Sequence, residues 1–139
     1  MRENDIGTIV VQSAIAVHRT LGPGLLESVY EVVLAHELQQ RGLQVQRQVP
    51  IPIRYGSIRF DEGFRADLIV ENMVVVELKS VELVSANHKK QLQTYLRLTG
   101  CALGYLLNFS EALMKDGIIR VVYRLNEEKP PRLRASAGE

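Results

Sequence analysis

Apolar residues recur at Ile6, Ile9, Val10, Ala14 and Val17, the spacing of one helix face, and predict a helix from about Asp5 to Thr20. Gly22 and Pro23 in the following "LGPG" stop it, because proline cannot extend the hydrogen-bond ladder. A second helix is expected from about Leu25 to Arg41. Its apolar arc would hold Leu26, Val29, Tyr30, Val33, Leu34 and Leu38, and Gly42 would end it. The period then falls to two. "LQVQRQVPIPIRY" alternates Leu43, Val45, Val49, Ile51 and Ile53 with mostly polar neighbours, and Pro50 and Pro52 place that strand at a sheet edge.

A turn is expected around Asp61-Glu62-Gly63, followed by two strands within "FRADLIVENMVVVELKS". A helix from about Ala86 to Leu98, capped by Ser85, comes next. A strand from Ala102 to Phe109, a short turn or helix and a strand from Gly117 to Leu125 complete the order α-α-β-β-β-α-β-β. That order predicts an α/β fold with a mixed sheet flanked by helices, as a single domain over residues 1–125. "NEEKPPRLRASAGE" has no periodicity, so 126–139 is expected to be a flexible tail.

Composition adds bounds. The 139 residues are 46% hydrophobic and 24% charged, ordinary for a soluble domain able to bury a core. No apolar run approaches the roughly 20 residues of a membrane span, and the first residues make no convincing signal peptide. The single cysteine, Cys101, excludes an internal disulfide, fits a reducing cytoplasm and reads as a small core residue. A net charge of +1 neither demands nor excludes a nucleic-acid partner.

Against that background, Asp67, Glu77 and Lys79 stand out, embedded in the most apolar hairpin of the chain. Glu77 and Lys79 share a face because side chains at i and i+2 do. A three-residue connection, Glu71-Asn72-Met73, pairs Val70 with Val74 and sets Asp67 across from Glu77, with Asn72 able to adopt the left-handed conformation. A two-residue connection would put Asp67 on the other face. An exposed Glu-x-Lys ion pair is the plain alternative, but Val74, Val75, Val76 and Leu78 leave no polar alternation. Buried carboxylates that converge repel one another, and a divalent cation such as Mg²⁺ or Mn²⁺ removes the repulsion.

Other residues could join such a centre. Glu27 lies at the margin of the second helix's apolar arc, where it could be a further metal ligand or simply a carboxylate near a helix N-terminus. His88, Gln91 and Tyr95 form a polar stripe beside Leu92 and Leu96, suited to positioning a substrate or to marking the edge of the core. Lys89, Lys90 and Arg97 are candidate phosphate contacts or a solvated helix face.

"GPGLLESVY" contains Gly24-x-x-Glu27-x-x-Tyr30, and with "RADLIVENMVVVELKSVE", "HKKQLQTYLRLTG" and "GYLLNF" in that order the chain resembles the GxxExxY protein family from about Ile6 to Val122. The resemblance implies a PD-(D/E)xK, RecB-like nuclease with a restriction-endonuclease-like core. It implies Asp67 as the first aspartate, Glu77-Leu78-Lys79 as the ExK element, Gln91-x-x-x-Tyr95 as the Q-x-x-x-Y element and Glu27 as the helical glutamate. Ala66 stands where proline often precedes the aspartate. The function expected is Mg²⁺- or Mn²⁺-dependent hydrolysis of phosphodiester bonds in DNA. Metal would be held by Asp67, Glu77 and Glu27, with Lys79, Gln91 and Tyr95 catalytic. A homodimer would follow if both strands of a duplex were cut symmetrically. The rival is an inactive nucleic-acid-binding or protein-interaction module on the same fold.

Overall fold

The computed structural model describes residues 1–124. The expected tail, and Leu125 at the end of the expected last strand, lie outside the described residues. Two helices, α1 (Glu3–Leu21) and α2 (Glu27–Gln40), lead into strands β1 (Val45–Tyr55), β2 (Ile58–Val70) and β3 (Val74–Lys79). Helix α3 (Ala86–Thr99) crosses to β4 (Leu103–Asn108), and a 3-10 turn at Met114–Gly117 delivers β5 (Ile118–Val122).

The sheet runs β1-β2-β3-β4-β5 among the described residues. Strands β3 and β4 are parallel and the other neighbouring pairs antiparallel. A parallel pair needs a crossover, and α3 provides it. This is the mixed five-stranded α/β sandwich that the element order predicted. The proline-bearing β1 lies at the edge, where missing N–H donors cost no ladder bond.

Helices α1 and α2 cover one face. Ile6, Val10, Val17, Tyr30, Leu34 and Leu38 pack on Leu68, Val70, Val74, Val76, Leu78 and Leu107. On the other face Leu92 and Leu96 of α3 pack on Ala66, Ile69, Val75, Leu106 and Val121. Helix α3 sits close to the sheet because position 104 is glycine: a Cβ there would stand 3.1–3.2 Å from Leu96, Leu92 and the Val75 carbonyl. Cys101 is buried, as a core residue should be. None of the described helices is long and apolar enough to cross a membrane.

Two local expectations are corrected. The apolar arc of α2 does not include Leu26 and Val29, which are exposed. The helix starts only at Glu27, and its buried face carries Tyr30, Glu31, Leu34, Ala35 and Leu38. Nor does the chain turn at Asp61-Glu62-Gly63. These residues lie inside β2, and the reversal occurs between Tyr55 and Ile58, where Gly56 takes φ +58. The register shows why 61–63 looked like a turn. Ile51 pairs with Phe64 and Ile53 with Phe60, so Asp61, Glu62 and Gly63 bulge opposite Pro52 alone. The outer hairpin is exposed, so polar residues there reflect solvent rather than a reversal.

Candidate metal centre

The hairpin register matches the expectation from the three-residue connection. Val70 pairs with Val74, and Glu71 and Asn72 both adopt left-handed backbone, with φ +53 and +55. The β2–β3 ladder runs through Leu68 and Val76. At the next level, side chains bridge the two strands. The Asp67 N–H donates to Glu77 Oε2 at 3.0 Å, and the Leu78 N–H donates to Asp67 Oδ2 at 3.0 Å. Each carboxylate thus satisfies a backbone donor on the opposite strand.

This level is also where the outer strands change face. Along β2, Leu68 and Val70 pack toward α1 and α2, whereas Phe64 and Ala66 pack toward α3. In β1, Val45 and Val49 would share a face in a regular strand but pack on opposite sides of the sheet. Between them Gln48 takes φ +51, uncommon for a residue with a side chain. The irregularity falls at the level of Asp67, between the Arg47–Leu68 and Val49–Ala66 pairs.

Glu77 is only 8% exposed. Burial, and then the negative charge of Asp67, push its carboxyl up to about 8, against the smaller opposing pulls of the Asp67 N–H and the Lys79 ammonium. Two carboxyl groups held together, one of them buried, are a donor set with a surplus of negative charge. Hard oxygen ligands of this kind, with Asp67 only half-buried, fit a divalent cation that keeps some of its waters.

Lys79 ends β3, half-buried and on the same face as Glu77. Its carbonyl accepts from the Phe109 N–H at 2.9 Å. Its ladder partner Asn108, 1% exposed, fixes the segment beyond it: the Asn108 side chain donates to the Val81 carbonyl at 2.9 Å and accepts from the Val81 N–H at 3.1 Å.

Tyr95 of α3 is half-buried and stacks on Phe64, with centroids 3.8 Å apart and planes 5° from parallel. Burial raises its phenol, and the charges on Glu77 and Asp67 raise it further. Gln91, four residues earlier, is exposed on the same flank of α3. His88 is partly committed: its Nδ1 accepts from the Ser85 N–H at 3.1 Å and its own N–H donates to Ser85 Oγ at 3.3 Å, a reciprocal helix cap. Lys89 is exposed on the other flank. Lys90 and Arg97, seven apart, lie on the side of α3 opposite Leu92 and do not converge with the carboxylates.

Glu27 takes the position of a carboxylate near a helix N-terminus, one of the two places open to it. It is exposed, at the first turn of α2, and accepts from the Ser80 N–H at 3.2 Å, just beyond Lys79. Among the described residues, no three His, Cys, Asp or Glu side chains are gathered as a metal cage. Asp67 and Glu77 are the carboxyl groups that meet, and Glu27 reaches only the segment just beyond Lys79, at the rim of the pair. Tyr30 anchors that rim, since its hydroxyl donates to the Gly22 carbonyl at 2.6 Å and accepts from the Leu25 N–H at 3.1 Å, while its ring stacks on Phe109.

Sequence reasoning missed four side chains that shape the site: Glu31, Gln48, Phe64 and Asn108. Glu31 had a signal, because it lies three and seven residues before Leu34 and Leu38 on the buried stripe. Gln48 had none, since nothing local marks the place where a strand changes face.

The model of the PD-(D/E)XK nuclease superfamily matches residues 4–121. No curated protein matches the sequence significantly. Among solved structures, one described as "Crystal structure of SSO0001" is similar with a TM-score of 0.45 and 18% identity, covering 88% of this chain and 67% of that one. The family match runs from the first turn of α1 into β5, and on that extent the chain belongs to the PD-(D/E)XK nuclease superfamily.

Proposed function

We propose that the protein is a divalent-metal-dependent nuclease that hydrolyses phosphodiester bonds in DNA. The observation that carries this reading is the cross-braced pair Asp67 and Glu77, two carboxyl groups that each take a backbone N–H of the opposite strand, with Glu77 buried. Nucleases of this superfamily typically use ions such as Mg²⁺, and the residues present fit one. A bound Mg²⁺ or Mn²⁺ would supply positive charge to the phosphate and acidify a water.

Asp67 and Glu77 are the ligands in this reading, and Glu27 orients the rim through Ser80. Lys79 is the cation on the same face as Glu77, placed to steer the attacking water or to stabilise charge on the phosphate. Tyr95, held by Phe64, and Gln91 position the substrate backbone. His88 and Lys89 contact neighbouring phosphates, and Lys90 and Arg97 meet only more distant parts of a long substrate. Within the superfamily we assign the chain to the GxxExxY group. The assignment gives its signature physical meaning: Gly24 takes φ +101, Glu27 reaches Ser80, and Tyr30 pins the loop between α1 and α2. Cytoplasmic residence fits the buried free thiol of Cys101, and symmetric cutting of a duplex would require two copies.

The test is cleavage of labelled single-stranded, duplex and branched DNA and of RNA in Mg²⁺ and in Mn²⁺. Metal-dependent cutting of DNA that disappears in folded Asp67→Asn and Lys79→Ala variants supports the reading. DNA binding without cutting by any variant would favour an inactive binding module instead.

A further inference from the structure

We infer that Glu31 and Gln48 form a positioning relay that fixes the rotation of the Asp67 carboxylate. The inference rests on the metal-dependent reading above and adds two residues to it. Gln48 lies between two acids. Its Nε2 donates to Glu31 Oε1 at 2.7 Å and, more loosely, to Asp67 Oδ1 at 3.4 Å. The side-chain amide nitrogen has two hydrogens, one for each acceptor. The opposite orientation would point the amide oxygen at two carboxylates, so chemistry settles which way the amide faces.

Glu31 holds the other end. It is 6% exposed, and an anion removed from water needs donors. Arg47 supplies one at 3.2 Å to Oε2, leaving Oε1 for Gln48. Asp67 in turn receives Gln48 on Oδ1 and the Leu78 N–H on Oδ2. Donors on both oxygens, from β1 on one side and β3 on the other, fix the plane of the carboxylate. Its remaining lone pairs then have one direction, which is what a metal ligand requires of its supporting groups.

The backbone supports the same conclusion. Gln48 occupies left-handed backbone at φ +51, a conformation that glycine and asparagine tolerate better. It does so where β1 changes face, and the conformation delivers the amide between Glu31 and Asp67. Side-chain reach explains why a long amide is found at this position.

The experiment measures Mn²⁺ affinity by calorimetry on the full chain, with wild type, Gln48→Gly, Glu31→Gln and the double variant. Gln48→Gly relieves the backbone but takes a donor from the buried Glu31 carboxylate, so the metal-free protein should stay folded and melt somewhat below the wild-type temperature. Its Mn²⁺ affinity should fall about 10- to 100-fold. Glu31→Gln should also weaken Mn²⁺, and the double variant should be no weaker than Gln48→Gly alone, because both act through one path. Cleavage should recover in each variant at saturating Mn²⁺, which a general structural defect would not permit. Gln48→Asn keeps a residue suited to the backbone but is too short to bridge, and should repeat the loss if the glycine variant does not fold. Wild-type affinity in the position-48 variants, or losses that multiply in the double variant, would overturn the relay while leaving the metal centre standing. A wild-type protein with no affinity for Mn²⁺ would overturn both.

Discussion

Asp67 and Glu77 brace one another where the β2–β3 ladder ends: the N–H of Asp67 is bonded to the Glu77 carboxylate at 3.0 Å, and the carboxylate of Asp67 takes the next N–H of the β3 strand, that of Leu78. Two acids therefore do the work of ladder hydrogen bonds where β2 changes face. The arrangement satisfies two backbone donors while concentrating negative charge in a buried place, and its properties should depend on pH and on cations.

The pH dependence has a definite sign. With its pKa raised from 4.5 to about 8 on folding, Glu77 stays protonated in the native state over a range where the unfolded chain has lost that proton. Native protein then binds more protons, so stability is present below pH 4.5 and is lost as pH rises toward 8. At about 1.36 kcal/mol per pH unit, the loss across the window is on the order of 5 kcal/mol. Glu77→Gln keeps an oxygen acceptor for the Asp67 N–H and removes the titration. Urea denaturation of metal-free protein at pH 5 and pH 8.5 should show wild type falling behind this variant at the higher pH. Parallel curves for the two proteins would refute the shift.

Lys79 should separate binding from chemistry. Lys79→Ala leaves both carboxylates in place, so Mn²⁺ affinity should change little while cleavage falls by about 10²–10³-fold, the usual cost of removing a charge-stabilising group. Calorimetry and single-turnover cleavage on one preparation would decide. Loss of metal affinity equal to the loss of cleavage would make Lys79 a support of the pair instead.

Tyr95 has a ring and a hydroxyl that can be tested apart. Tyr95→Phe preserves the stack on Phe64, so stability should stay within about 0.5 kcal/mol while substrate affinity weakens. Tyr95→Ala loses the stack as well and should cost about 1–3 kcal/mol in chemical denaturation. Equal cleavage by Tyr95→Phe and wild type would remove the hydroxyl from the site.

Much of this was legible in the sequence, and the exceptions share a cause. The lengths of the connections are local, so "ENM" between two apolar runs gave the register that sets Asp67 opposite Glu77. Alternation fails wherever a strand bulges or changes face. Asp61-Glu62-Gly63 resembled a turn because the bulge opposite Pro52 is solvent-exposed, and Gln48 carried no mark because its role depends on β1 and β2 reversing together. Glu27 was legible as an acid near the sheet, but its bond to Ser80, 53 residues away, was not. Lys90 and Arg97 were grouped with Lys89 by proximity in sequence, whereas helical spacing sends them to the far side of α3.

Tyr30 offers a test of the rim. Tyr30→Phe keeps the stack on Phe109 but leaves the Leu25 N–H and the Gly22 carbonyl without their partner, at a cost of about 1–3 kcal/mol. Because the pinned loop leads directly into Glu27, cleavage should fall more than stability alone explains. Full cleavage by a destabilised variant, assayed well below its melting temperature, would show that the loop has no part in the site.

The most direct test of the central claim is calorimetric titration of Mn²⁺ and Mg²⁺ into wild type and Glu77→Gln at pH 7 and above pH 9, in two buffers of different ionisation enthalpy. A carboxyl group titrating near 8 must lose its proton to bind a metal ion. Wild type should therefore bind one ion with release of nearly one proton at pH 7 and almost none above pH 9, and Glu77→Gln should bind poorly at both. Binding that is indifferent to pH and to Glu77→Gln, or no binding at millimolar ion, would contradict the assignment of this carboxylate pair as a metal centre.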